Sequence, residues 1–233
     1  MIKEAVRFPD SFFSKVRKGI GFMKFFSIES GFYKFMNRVL EFLKISLLWL
    51  LCSLPVVTMG AATVAAYTIT LKMVDEEEGY IAKPFFKAFR ENLLQGSLLG
   101  IITMVGAYAI YLDFQLFEAV EDNPVIFLIV GMVGIFLLVM GTVFAFPLLA
   151  RYENTIPRTM RNSYRIATRC FVRTLLMVVI LAVELVFFFW NTTTIVIGVL
   201  LGPASMIYTI SAFALIFFRE IEKEPGTVKK ETE

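Results

Sequence analysis

The side chains able to do chemistry are few, and several lie in apolar surroundings. Glu184 is the one acid in the run over residues 175–190, LLMVVILAVELVFFFW. A carboxyl there can accept a proton or bind a cation or a sugar hydroxyl. The structural alternative is a neutral carboxyl bonded to a nearby Tyr, Thr or carbonyl. Arg158, Arg161, Arg165, Arg169 and Arg173 recur every three or four residues, which makes one stripe on a helix. With neither Gly nor Pro between Arg158 and Ile197, the stripe is expected to run unbroken into the following apolar helix. Its opposite face reads as Met160, Tyr164, Ala167 and Phe171. Such a stripe suits anionic headgroups, pairing with the acids of residues 75–78, or docking of a cytoplasmic partner. Pro55, Thr58 and Gly60 form a third constellation, because they break an apolar run uncharged over residues 45–71. Pro55 lacks an N–H and stops a helix. Thr58 is then expected to cap a new helix starting at Met59 or Gly60. The pair reads as a helix–turn–helix device, or as a broken helix whose freed backbone groups line a solute site.

Other chemistry is not supported by the residues. The chain has no His, so the commonest general base and metal ligand are missing. It has no phosphate-binding GxxxxGK[ST], no GxSxG and no HExxH. Cys52 and Cys170 are far apart and form no CxxC, so neither a disulfide nor a metal site is expected. No enzyme activity and no cofactor are predicted. A net charge of +3 over 233 residues gives no general affinity for nucleic acid.

The elements that must position these groups are membrane helices. Hydrophobic residues make up 58% of the chain, with 25 Phe, and mean hydropathy is +0.72. Lipid is therefore the expected solvent. Residues 11–27 read as a basic amphipathic helix in the headgroup zone, within an N-terminal segment 1–29 that does not resemble a secretory signal. Crossings are expected near residues 32–54, 59–74, 93–112, 125–150, 175–190 and 195–218. Between them, Pro84 and Pro157 open two short amphipathic elbows rich in Lys and Arg. The spacings Gly96-x-x-x-Gly100 and Gly198-x-x-x-Gly202 permit close helix contact or a helix-mediated oligomer. Lys and Arg cluster in the N-terminal region, residues 72–93, residues 151–173 and the tail; residues 113–124 and 191–194 have none. If Pro55 marks an outer turn, every basic region falls on one side. The expected fold is therefore all-α and polytopic: six transmembrane helices with cytoplasmic amphipathic elbows and both termini inside. Residues 30–218 form its single helical membrane domain, and residues 219–233 its charged cytoplasmic tail. YTIT at residues 67–70 and YTIS at residues 208–211 echo each other, a weak sign of internal repetition.

At residues 53–63, SLPVVTMGAAT, the chain closely resembles the YesL-like family of bacterial membrane proteins, a domain of unknown function. Trp49 precedes the motif, and the elbow FKAFREN at residues 86–92 follows it, as the family pattern has them. The family often carries an Asn a few residues before the Trp, where this chain has Ser46. The resemblance implies a multi-pass protein of the Gram-positive cell membrane, typically encoded beside carbohydrate-uptake transporters and glycan-degrading enzymes. It supplies no catalytic residues. The function expected on that basis is a non-catalytic accessory or scaffold for a carbohydrate importer of the ABC type. A small autonomous transporter or channel is the alternative, with Glu184 and the broken motif in its support.

Overall fold

The computed structural model describes residues 31–75, 79–119 and 125–223, and every regular element among them is helical. The expected N-terminal amphipathic segment, residues 76–78 and 120–124, and the tail beyond 223 lie outside the described residues. The chain divides into two compact units, residues 1–42 and 43–233. The described part of the first unit opens helix α1 (Gly31–Ser53), where Glu41 accepts a hydrogen bond from Asn37 at 3.2 Å and pairs with Arg38 at 3.5 Å.

In the second unit α1 ends at Ser53, just before Pro55, and a single 3-10 turn, Val56–Thr58, leads into α2 (Met59–Val74). Then follow α3 (Ala82–Glu91), α4 (Leu93–Ala119), α5 (Val125–Thr142), α6 (Ala145–Arg151), α7 (Ile156–Arg169), α8 (Phe171–Phe188) and α9 (Thr192–Lys223). Among the described residues, five stretches are long and apolar enough to cross a membrane: Val56–Val74, Leu93–Ala119, Val125–Arg151, Phe171–Phe188 and Thr192–Glu220. The protein is a multi-pass membrane protein. Helix α1 is not among the five, because Arg38, Glu41 and Lys44 interrupt its apolar run.

Helix α2 is the hub. It packs against α3, α4, α6 and α9, and buries Gly60, Ala61, Ala62, Ala65 and Ala66 along with its larger residues. Small side chains let neighbouring backbones come close, which is how helices gain contact where lipid offers no hydrophobic drive. The amphipathic pieces α3 and α7 lie between crossings as elbows. The first buries Phe85 and Ala88, the second Thr159, Ser163, Ile166 and Ala167.

Several boundaries differ from the sequence reading. Helix α4 runs on to Ala119, so Asp113 and Glu118 are helical and not in a loop. The apolar run over 125–150 is two helices, α5 and α6. Pro147 has no N–H for the Val143 carbonyl, and the Ser163 hydroxyl fills the break just before it. It accepts from the Phe144 N–H at 3.2 Å and donates to the Met140 carbonyl at 3.1 Å. Helix α7 stops at Cys170, where φ is −114° and ψ is 41°, so the arginine stripe does not continue unbroken into α8. The Thr174 hydroxyl bridges that break to the carbonyls of Ala167 and Cys170. Helix α9 starts at Thr192, capped by the Asn191 side chain, which accepts from the Thr193 N–H at 2.7 Å. Its far end carries the helix through Arg219 to Lys223, where a charged tail was expected.

Candidate functional site

Thr58 departs from its expected role. Its hydroxyl does not accept from the N–H groups of α2; it donates backwards, to the Cys52 carbonyl at 2.7 Å and the Pro55 carbonyl at 2.8 Å. Thr58 sits at φ −89° and ψ −2°, already helical, so its oxygen faces the end of α1 and not the start of α2. The turn is thus closed by satisfying the Cys52 carbonyl at the α1 terminus, while the Pro55 carbonyl also accepts the Thr58 N–H at 2.9 Å. Gly60 does the packing. A Cβ built there would lie 2.1 Å from the Gly96 carbonyl oxygen and 2.8 Å from the Gly100 Cα. Ala61 sits against Gly96 in the same way. The thin face of α2 and the Gly96-x-x-x-Gly100 spacing therefore meet each other. Gly198-x-x-x-Gly202 receives the Phe188 ring instead of a second helix backbone.

The other end of the unit is held by charge. Asp75, at the C-terminus of α2, pairs with Arg151 of α6 at 3.9 Å and with Arg219 of α9. Arg173 of α8 pairs with Glu220 of α9 at 2.7 Å. These pairs bring the ends of α2, α6, α8 and α9 to one level, opposite the Pro55 turn. Of the arginine stripe, Arg173 thus finds Glu220, while the recorded partners of Asp75 come from outside the stripe. All five arginines are exposed. Tyr164 and Phe171, expected on the opposite face, are exposed as well.

Glu184 is half-buried between α8 and α9. The Thr209 hydroxyl donates to its Oε1 at 2.8 Å, and its Oε2 is buried without a hydrogen-bond partner. A cavity of about 340 Å³ is lined by Trp49, Thr63, Phe188, Gly198, Gly202 and Pro203 among others. Its wall is apolar apart from the Trp49 indole and the Thr63 hydroxyl; the indole donates to that hydroxyl at 3.0 Å, and Thr63 donates on to the Met59 carbonyl. Among the described residues, no group of His, Cys, Asp or Glu is placed to hold a metal ion.

Sequence reasoning missed the buried hydroxyls. Ser46 is fully buried and accepts from the Ala204 N–H at 3.2 Å, next to Pro203 inside α9. Thr70 and Ser211 share a buried hydrogen bond of 2.7 Å between α2 and α9. The signal for the second pair was present, since these are the last residues of the echoing YTIT and YTIS. For Ser46 and Ser163 the signal was a proline elsewhere in the chain that frees backbone groups, which names no partner by itself.

These features define a polytopic helical membrane protein built on a small-residue hub, with a tight proline turn at one end and paired charges at the other. Residues 42–114, which run from α1 through α2 and α3 into α4, match the family model DUF624, a protein of unknown function, so this stretch of the chain is a DUF624 domain. No curated protein and no solved structure matches the chain.

Proposed function

We propose that the chain is a non-catalytic accessory or scaffold protein of the bacterial cell membrane, working beside a carbohydrate importer of the ABC type. In this reading it crosses the membrane six times, α1 included, with both termini in the cytoplasm. The observation that carries the scaffold reading is the use made of the motif residues. Thr58 closes the α1–α2 turn, Gly60 and Ala61 seat α2 on α4, and Trp49 is bonded to Thr63. Each serves packing. The topology is supported by charge: from residue 45 to 223 every Lys and Arg lies at the end marked by Asp75, Arg151 and Arg219, or on the elbows beside it. The importer association rests on the YesL-like resemblance. Affinity purification of the tagged protein from native membranes in mild detergent is expected to bring importer subunits with it. Recovery of the protein alone, together with unchanged sugar uptake in a deletion strain, would overturn the reading.

One observation favours a second reading, a small transporter or channel: the unpartnered Glu184 Oε2 within a membrane span. Solute flux into liposomes holding this protein alone, abolished by Glu184→Leu, would establish it. Flux equal to that of empty liposomes would remove it.

A further inference from the structure

We propose that the outward face of α7 and the start of α8 form a binding surface for anionic phospholipid. Arg158, Arg161 and Arg165 hold the headgroup phosphate, and the apolar residues that follow receive the acyl chains. The inference is independent of any importer association.

Helix α7 has two faces. Thr159, Ser163, Ile166 and Ala167 are buried, and the helix packs on α5 and α6. Arg158, Arg161 and Arg165 are exposed on the other side. At the same end of the unit, Arg151, Arg173 and Arg219 each have a carboxylate, Asp75 or Glu220. Among the described residues no carboxylate pairs with Arg158, Arg161 or Arg165. Cationic charge is therefore left without a paired carboxylate on this face of α7, at Arg158, Arg161 and Arg165.

Directly past the stripe the exposed side chains change character. Phe171, Val172, Leu175 and Leu176 are all exposed and all apolar. They lie within the Phe171–Phe188 span, and the Phe171 ring packs beside Phe136 of α5 with centroids 6.3 Å apart. A guanidinium row above an apolar column matches the chemistry of a phospholipid. The guanidinium fork engages phosphate oxygens bidentately, and the column is already in contact with hydrocarbon. An acidic protein segment would answer the charge but not the column.

The test uses the full-length protein, purified and exchanged into micelles holding equimolar dioleoyl phosphatidylglycerol and dioleoyl phosphatidylcholine. Retained lipid is counted by native mass spectrometry, a readout that does not depend on insertion orientation. Phosphatidylglycerol is expected to exceed phosphatidylcholine by roughly tenfold. The triple variant Arg158→Gln, Arg161→Gln, Arg165→Gln is expected to lose that preference, and Lys83→Gln, Lys87→Gln, Arg90→Gln on α3 to keep it. Equal retention of the two lipids by the unaltered protein would overturn the proposal. So would undiminished preference in the α7 variant, or an equal loss in the α3 variant. A photocrosslinker at position 161 that captures protein and not lipid in native membranes would assign the face to an acidic partner and also overturn it.

Discussion

Helices α2 and α8 differ in mean hydropathy, 1.3 against 2.5 for their spans, and are opposite in the work they do. Both are short apolar spans. Yet 61% of the α2 window is buried inside the protein against 11% of the α8 window. Helix α8 buries only Thr174 and Met177, whereas α2 buries a face of Gly and Ala on three sides. The difference lies in side-chain size. Against lipid, a Leu or Phe gains nothing by turning inward, so α8 keeps its large residues outside. A Gly or Ala has little to offer lipid but allows two backbones to meet. In this protein the hub is the helix with the smallest side chains, not the most hydrophobic one.

The comparison can be broken most sharply at Gly60. Gly60→Leu would drive a side chain into the Gly96 carbonyl and the Gly100 backbone, neither of which can yield. The expected loss exceeds about 3 kcal/mol, at or beyond the upper range of overpacking effects. Thermal unfolding in detergent, followed by loss of the monodisperse peak, would read it; a variant as stable as the parent would mean that α2 does not pack on α4 as described. Next in size is Ser163→Ala. It leaves the Phe144 N–H and the Met140 carbonyl buried without their partner, at a cost of about 1–3 kcal/mol. Hydrogen exchange should rise at the α5–α6 break before it rises in α2.

Smaller effects sharpen the picture. Thr70→Val removes the bond to Ser211 while keeping the volume, and should cost about 0.6–1.7 kcal/mol, the range found for hydrogen bonds between membrane helices. Ser46→Ala should cost about as much, whereas Ser46→Asn should cost less, since an amide oxygen can also accept from the Ala204 N–H. That pair of variants asks whether an Asn at this position can serve the same bond. Least of all, Val183→Ala on the exposed face of α8 is expected to stay within about 0.5 kcal/mol of the parent. A large loss there would mean that the face is covered, by a second copy or by another chain.

Much of the architecture was legible. The proline turn, the elbows at Pro84 and Pro157, the order of the apolar helices and the contact made by Gly96-x-x-x-Gly100 all follow from residue type and spacing. Helix ends were less legible. Asp113 and Glu118 suggested a loop, yet α4 continues through both, and the Asp113 Oδ2 is buried beside Gly131 of α5. Roles that depend on direction were the least legible. Thr58 is a good cap by type, yet it donates to Cys52 and Pro55 because the 3-10 turn has already made it helical. Glu184 was singled out by its charge; its bond to Thr209 joins residues 25 apart in sequence and required the α8–α9 pairing.

The sequence by itself determined the medium and the helical class. These depend on composition and on short-range periodicity, which each segment carries alone. Only the tertiary structure decided which apolar helix is central, and which buried hydroxyl satisfies which freed backbone group. Ser46 reaches Ala204 and Thr70 reaches Ser211 across more than half the chain. In lipid, where an unpaired backbone or hydroxyl group has no water to turn to, those long-range pairings are set by the packing of whole helices and are not written in any one of them.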